Sequence, residues 1–445
     1  MRLIYAIPIL LLPNTAHLPA DVSVSASVGL LIIAMLLGDR DPAQMTRRGF
    51  MFAPLVALFL AMLVGFVAAQ WHDVSRLGKD LREAKVALLF PFLYLAYLHC
   101  GLDLKRTRQL IILVMIVAVG AGLEALLQGA SFDLGTFSET QRATGPFGEL
   151  KMANRAGVFF AMFLPFMVAI VLQPRQKSLV RLTAIAGSLI LISAILLTFS
   201  RQAYLIALFG IMILLIWRSI PVAMLAAVVL GIAALTFVPT SVVERVQQTE
   251  QSDGTGEMVL DPSTASRFVI WSGTLQMLRD HPNGVGLGRF NDHIGSYTNY
   301  AGKDAHNGFL LTLAECGPLG LLALLWVFWR LVRLARWLRR SSAAQSADQA
   351  LERGFMLAII SMALGNMYGS PFFDSVVMSN FWILCGLMER YGNLKTHAAQ
   401  VMADSAERRN AVPLGLRFPL AARAMPGLSK TLSKTGMTRA GNARH

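Results

Sequence analysis

The chain is poor in charged residues, and this scarcity excludes an ordinary soluble protein. Asp, Glu, Lys and Arg make up 15% of its 445 residues, whereas soluble domains carry about 25%. Apolar residues make up 55%, and the mean hydropathy is +0.55. A soluble fold cannot hide so much apolar surface, so we predict an all-α polytopic membrane protein.

Motifs for disulfide, metal and nucleotide chemistry are also missing. The 3 cysteines, Cys100, Cys316 and Cys385, lie far apart and form no CxxC pair, which argues against a disulfide framework or a zinc site. None of the 8 histidines has metal-ligand spacing, and no Walker, HExxH or GxSxG motif occurs. We therefore predict neither a metal nor another cofactor.

Apolar segments recur along the chain and predict about twelve transmembrane helices. Several are shorter than the ~20 residues that a perpendicular span requires. The segments lie at 3–18, 22–37, 51–71, 84–99, 108–127, 154–172, 182–199, 203–217, 221–238, 308–329, 354–369 and 375–390.

The distribution of positive charge predicts the topology. With a cytoplasmic N-terminus, most of the 40 lysines and arginines fall in alternate loops that face the cytoplasm, as the positive-inside rule requires. Both termini are then cytoplasmic, and the net charge of +14 needs no nucleic-acid partner. We assign 1–390 to a transmembrane helical domain with a large external loop at 239–307. Residues 391–445 form a basic tail that we expect to be largely disordered.

The external loop contains a predicted amphipathic helix. Residues 261–263 are typical of a helix start, and His281-Pro282 would end the helix. We expect it to lie on the membrane surface or across the helical bundle as a lid. The glycine-rich run 284–288 predicts a tight turn and no nucleotide cradle. The apolar face of the helix comprises Phe268, Trp271, Leu275 and Leu278.

Several arginines fall on the external side of this topology, against the positive-inside bias. An anionic partner explains such a placement, because a guanidinium forms planar, bidentate hydrogen bonds to phosphate and stays charged. The alternative is that each side chain snorkels to the interface or pairs with a carboxylate such as Glu124 or Asp374. The arginines are Arg142, Arg201, Arg267 and Arg289.

His306 is the candidate catalytic base. It precedes the apolar helix predicted near Gly308, whose N-terminus carries partial positive charge and disfavours imidazolium. A neutral imidazole can accept a proton from a hydroxyl. We assign Asp304 and Asn307 as supporting residues. The alternative is a histidine that only caps the helix or lies at an interface.

Three segments carry recognisable motifs in a fixed order. Residues 142–161 read RATGPFGELKMANRAGVFFA, residues 198–208 read TFSRQAYLIAL, and residues 281–325 contain GVGLGRF followed by AHNGFLLTLAECGPLG. They are similar to the R-x-x-G-x-F, S-R-x-x-x-L and H-N-x-x-L-x-x-x-x-x-x-G-x-x-G patterns of one family. The chain thus resembles the O-antigen ligase/polymerase superfamily of bacterial envelope glycosyltransferases.

The resemblance implies a GT-C-like inverting glycosyltransferase. Such an enzyme moves a glycan from polyprenyl (undecaprenyl) pyrophosphate to an acceptor hydroxyl at the periplasmic face of the bacterial inner membrane, without nucleotide sugar or essential metal. Arg142, Arg201 and Arg267 would then bind the pyrophosphate, with His306 as the base. Arg289 joins this set mainly from the charge argument.

The acceptor and the protein class leave alternatives open. We favour an O-antigen ligase acting on lipid A-core, because twelve spans with one dominant external loop fit that pattern. A repeat-unit polysaccharide polymerase would need the same donor site. A twelve-span transporter of lipid-linked glycan is the rival from another class. Two features argue against a transporter. The two halves of the chain do not match in hydropathy, and the polar residues concentrate on the predicted external side of the membrane.

Overall fold

The computed structural model describes residues 3–37, 49–72, 77–133, 135, 138–174, 176–237, 240–247, 250–252, 258–260, 262–341 and 348–411. Within these ranges the regular secondary structure is helical apart from one short antiparallel strand pair, β1 (Glu250–Ser252) and β2 (Met258–Leu260). The predicted helical fold class is therefore confirmed.

Each predicted apolar segment overlaps a helix, although the helix in segment 3–18 ends at Leu11 and the helix in segment 375–390 continues to Ala411. Short 3₁₀ turns lie at Gly145–Phe147, Leu150–Met152, Ile294–Ser296 and Pro371–Phe373. The helices are α1 (Leu3–Leu11), α2 (Ala20–Leu37), α3 (Phe52–His72), α4 (Leu77–Leu98), α5 (Leu104–Gly129), α6 (Ala153–Leu172), α7 (Ser178–Leu197), α8 (Arg201–Arg218), α9 (Ile220–Phe237), α10 (Thr240–Gln247), α11 (Pro262–Asp280), α12 (Phe290–His293), α13 (Gly308–Ser341), α14 (Gln349–Met367) and α15 (Ser375–Ala411).

The predicted number of twelve spans is not confirmed. Among the described residues, 6 helical stretches are long and apolar enough to cross a membrane, and the chain is a multi-pass membrane protein. The predicted span at 3–18 falls short because α1 has 9 residues. The 6 candidate spans are Phe52–Trp71, Leu104–Gly129, Leu150–Leu172, Ser178–Leu197, Arg201–Arg218 and Gly308–Arg340.

Helix α6 forms the centre of the bundle. It packs most extensively against α7, α8 and α14, and its phenylalanines from Phe159 to Phe166 are fully buried. The rings of Phe159 and Phe163 lie 4.7 Å apart. By contrast, Leu205 of α8 and Val228 of α9 are 68% and 60% exposed, as expected for side chains that face lipid.

Helix α13 breaks at Gly317-Pro318, and the glycine-rich run fills the break. Gly317 has a φ of 68°, and Pro318 has no N–H to donate. The carbonyls of Ala314 and Glu315 therefore lose their helical partners. The N–H groups of Val285 and Gly286 donate to them instead, at 2.8 and 3.1 Å. The run 284–288 is thus a tight turn that docks on a broken helix.

The predicted amphipathic helix of the external loop is α11, which ends at Asp280 immediately before His281-Pro282. Ile270 and Met277 are buried, whereas Phe268 and Leu275 are 48% and 56% exposed. The helix therefore has an inward apolar face and an outward apolar face. This arrangement fits a helix that lies between the bundle and lipid.

The chain divides into two compact units, Met1–Tyr391 and Gly392–His445. Helix α15 continues to Ala411, so residues 391–411 of the predicted tail are helical. The rest of that tail, 412–445, lies outside the described residues, and its predicted disorder stays a prediction.

Candidate functional site

Four arginines line one small pocket of about 110 Å³ in the Met1–Tyr391 unit. The turn that precedes α8, the first turns of α11 and the segment 138–142 contribute its walls. The pocket includes three of the four arginines predicted from the sequence, together with Arg245. Its arginines are Arg142, Arg201, Arg245 and Arg267.

Arg142 is held by two close hydrogen bonds. Its Nε donates to the carbonyl of Thr198 at 2.9 Å, and its Nη2 donates to Asn154 Oδ1 at 2.6 Å. The side chain is only 10% exposed. Burial lowers the pKa of Arg142, the carboxylate of Glu139 opposes this shift, and the charges of Arg245 and Arg201 reinforce it. The site therefore disfavours uncompensated positive charge, and a bound anion would relieve this.

Arg201 is placed by a strained turn between α7 and α8. Phe199 has a φ of 48°, a left-handed conformation that a bulky residue rarely adopts. Gly157 of α6 faces this turn, and a Cβ there would lie 2.8 Å from Ala203 Cβ. Gln202 Nε2 donates to the carbonyl of Gly365 in α14 at 2.7 Å. These contacts fix the start of α8, whose N-terminal partial charge adds to that of the arginines.

Arg245 was not predicted from the sequence. It lies on α10, and its Nη2 lies 2.9 Å from Glu139 Oε1. Glu139 Oε2 lies 3.5 Å from Arg142 Nη1. The charge argument that singled out Arg267 would also have found Arg245, because both lie in the predicted external loop 239–307.

Arg267 lies on α11, and α11 also contacts the segment that carries His306. The guanidinium of Arg267 lies 5.4 Å from the ring centroid of Tyr368. Trp271, one turn further along α11, donates its indole N–H to the carbonyl of Ala305 at 2.9 Å. Movement of α11 would therefore act on the arginine pocket and on His306 together.

His306 lies immediately outside the N-terminus of α13, as predicted. Its φ of 50° is left-handed, a conformation often found at functional sites. Asn307 Oδ1 accepts hydrogen bonds from the N–H groups of Phe309 and Leu310, both at 3.0 Å, so Asn307 caps the helix. The N–H of Gly308 donates to the carbonyl of Gly369 at 2.8 Å.

The pKa of His306 is lowered, first by burial. Asp304 raises this pKa in part, and the charges of Arg267, Arg155 and Lys303 lower it further. The net direction keeps the imidazole neutral at neutral pH, which is the form that can accept a proton.

Asp304 belongs to a polar network that the sequence did not reveal. Ser370 Oγ donates to Asp304 Oδ2 at 2.6 Å, and Arg155 Nη2 lies 3.8 Å from the same oxygen. Arg155 Nη1 also binds Asp374 Oδ2 at 2.8 Å. Arg155 comes from α6, and Ser370 lies between α14 and α15, so two distant segments hold the carboxylate of Asp304.

A second, larger cavity of about 1130 Å³ is lined in part by Asp304, whereas His306 lines neither this cavity nor the arginine pocket. One part of its wall is polar and includes Arg155, Asn291 and Glu315. Another part is apolar and comes from α2 and α4, with residues such as Val28 and Leu89. A cavity with both kinds of wall suits an amphipathic ligand.

Arg289 does not join the arginine pocket. Its Nη2 lies 2.6 Å from Asp80 Oδ2, and the two side chains are 6% and 0% exposed. Gln70 Nε2 donates to the same carboxylate at 2.5 Å. The structure therefore places Arg289 in a buried ion pair with α4, away from the other three predicted arginines.

Among the described residues, no group of three or more His, Cys, Asp and Glu side chains is arranged to hold a metal ion. The four guanidinium groups form a site suited to a polyanion, and the lowered pKa of His306 favours a neutral imidazole. Guanidinium groups can stabilise negative charge on a phosphate leaving group, and His306 can remove a proton from an incoming hydroxyl.

Part of the chain is similar to a known protein family. Residues 186–325 match the model of the protein family described as O-Antigen ligase. No curated protein matches the chain. The matched stretch carries Arg201, Arg245, Arg267 and His306, and it confirms the resemblance to the O-antigen ligase superfamily.

Proposed function

We propose, from the O-antigen ligase pattern at residues 186–325, that this membrane glycosyltransferase transfers a glycan from a polyprenyl pyrophosphate donor. The transfer takes place at the periplasmic face of the bacterial inner membrane, and both termini are cytoplasmic. The favoured acceptor is a hydroxyl of lipid A-core, which makes the protein an O-antigen ligase. The alternative acceptor is another lipid-linked repeat unit, which would make it a polymerase.

The convergence of four arginines on one small pocket is the observation that carries the proposal. A guanidinium binds phosphate oxygens bidentately, so four of them suit a diphosphate better than a single carboxylate. The polyprenyl chain stays in lipid, and only the charged head enters the pocket. Arg267 approaches from α11, which also excludes water, a competing nucleophile.

The proposed reaction is a displacement at the anomeric carbon of the donor sugar. The acceptor oxygen forms a bond to that carbon as the bond from the carbon to the terminal phosphate oxygen breaks. The electron pair stays on the phosphate oxygen, so the diphosphate gains one negative charge, which the arginines stabilise. The proton of the acceptor hydroxyl passes to His306.

The large cavity that Asp304 helps to line is the proposed acceptor position. Its apolar wall from α2 and α4 would take lipid chains, and its polar wall near Arg155 and Asn291 would take sugar hydroxyls. As general base, His306 would have to contact the acceptor hydroxyl, while the acceptor oxygen itself reaches the anomeric carbon.

The test is glycan transfer by the purified protein from polyprenyl-pyrophosphate glycan to lipid A-core. His306→Ala and Arg201→Ala should each lower kcat by about 10²–10³, the usual cost of losing one charge-stabilising or proton-accepting group. Arg279→Ala is the matched control, because Arg279 is an exposed arginine of α11 and should leave transfer unchanged. EDTA should also leave it unchanged.

The product that forms distinguishes the candidate functions. Glycan on lipid A-core supports the ligase, whereas longer chains on the lipid carrier support the polymerase. Movement of intact donor lipid across vesicles without bond cleavage would replace the enzyme with a transporter. Full transfer by both pocket variants would contradict the proposed site.

A further inference from the structure

A carboxylate lies inside the arginine pocket, and its exposure sets it apart from its partners. Glu139 Oε1 lies 2.9 Å from Arg245 Nη2, and Glu139 Oε2 lies 3.5 Å from Arg142 Nη1. The two arginine side chains are 11% and 10% exposed, whereas Glu139 is 60% exposed. Two nearly buried cations are thus bridged by an exposed carboxylate.

This arrangement resembles the contact that a phosphate would make. A carboxylate presents two oxygens to two guanidinium groups in the same way as two oxygens of a phosphate. Glu139 is also the one carboxylate among the described residues that line the pocket. A diphosphate that binds Arg142 and Arg245 must therefore displace it.

We propose that Glu139 is an internal competitor that limits how tightly the pocket holds a diphosphate. This inference rests on the proposed function, and it assigns a role in affinity and product release to a residue outside the predicted site. Glu139 returns to Arg142 and Arg245 when the diphosphate leaves. It contacts no reacting atom and is therefore not a catalytic residue.

The charge change of the reaction explains why such a competitor is useful. Bond cleavage gives the diphosphate one more negative charge than it carries in the donor, so four arginines alone would hold the product more tightly than the substrate. A carboxylate that competes for two of the arginines weakens binding of the donor and of the product diphosphate. Weaker binding of the product speeds its release. An enzyme without it would bind donor well and turn over slowly.

The anchoring of α10 supports this exchange. Ser241 and Val242 of α10 are 0% and 5% exposed, so α10 is anchored by burial independently of the ion pair. Loss of the Glu139–Arg245 contact would leave α10 and Arg245 in place. The carboxylate can thus leave the pocket without taking its arginine with it.

The first experiment measures binding of inorganic pyrophosphate by calorimetry, at fixed ionic strength because exposed ion pairs are screened by salt. Glu139→Gln should bind pyrophosphate about fivefold more tightly than wild type, the gain expected from removing two partly exposed ion pairs. Glu149→Gln is the matched control, because Glu149 is exposed, pairs with Lys151 at 2.7 Å and does not line the pocket. It should bind like wild type.

The outcomes separate this inference from the proposed function. If wild type binds pyrophosphate and Arg201→Ala does not, the donor pocket stands. Unchanged or weaker binding by Glu139→Gln then overturns the competitor role alone. If pyrophosphate binding does not depend on Arg201 at all, the donor pocket and the competitor role both fall.

A kinetic measurement tests the same role during turnover. In the transfer assay, Glu139→Gln should show a lower KM for donor and a lower kcat, with stronger inhibition by added polyprenyl diphosphate. Glu149→Gln should change none of the three. A Glu139→Gln enzyme with lower kcat but unchanged product inhibition would contradict the proposal.

Discussion

Replacement of Arg289 should cost stability and leave diphosphate binding intact. The Arg289–Asp80 pair joins two side chains that are 6% and 0% exposed, at 2.6 Å. Arg289→Ala would leave the Asp80 carboxylate buried without its charge partner. Removing one member of a buried ion pair costs about 3–5 kcal/mol of unfolding free energy. The hydrogen bond from Gln70 to Asp80 offsets only part of this loss, since it carries no charge.

A double variant shows whether loss of the ion pair itself causes the loss of stability. Asp80→Leu with Arg289→Met removes both charges and fills similar volume, so most of the lost stability should return. The coupling free energy between the two positions should then be of the same order as the single loss. Arg279→Ala again serves as the control, because it removes an exposed arginine from the same region.

The assay is unfolding of the purified protein in lipid nanodiscs by denaturant, combined with pyrophosphate binding at a temperature where every variant is folded. Arg289→Ala should unfold at lower denaturant concentration and bind pyrophosphate like wild type. Unchanged unfolding with lost pyrophosphate binding would refute the reasoning, because Arg289 would then belong to the donor pocket after all.

Three further outcomes follow from the geometry of the site. Transfer should fail as pH drops below the lowered pKa of His306, which lies under the ordinary histidine value of about 6.5. This loss of kcat/KM at low pH should move to still lower pH in Asp304→Asn, because the Asp304 carboxylate raises that pKa. An unshifted pH dependence would remove His306 as the base. Gly157→Val should cost about 1–3 kcal/mol of unfolding free energy through overpacking against Ala203, measured in nanodiscs, with transfer reduced more than in a variant of equal stability. Asn307→Ala should cost about 0.5–2 kcal/mol through loss of the helix cap, and a stability equal to wild type would contradict the capping role.

The arginines indicate how far the sequence alone could define the site. Arg201 was predictable because it lies between two apolar runs, where an arginine needs a polar environment. Arg142 and Arg267 followed from the same charge argument. Arg289 met that criterion equally well, but its partner Asp80 is 209 positions away in the chain, and no local pattern reveals a pair so far apart.

Helices that follow from the apolar pattern could be predicted from the sequence. Features that depend on contacts between distant segments could not. Helix α11 and its end at Asp280 were expected from its start signals and from His281-Pro282. The break in α13 was not, because Pro318 alone does not reveal that the run 284–288 supplies the missing hydrogen bonds. The network of Asp304, Arg155 and Ser370 likewise depends on tertiary packing.

The docking of the glycine-rich run on the broken helix has an evolutionary consequence. The segment from Gly288 to His306 is fixed at both ends, at one by the α13 carbonyls and at the other by Trp271 and the Asn307 cap. Between these ends, an added Cβ at Gly302 would meet no heavy atom within 4 Å, and the N–H of Gly302 donates to the carbonyl of Asn291 at 3.1 Å. A change in the length of this segment can therefore leave the histidine in place only where the attachments at both ends are kept.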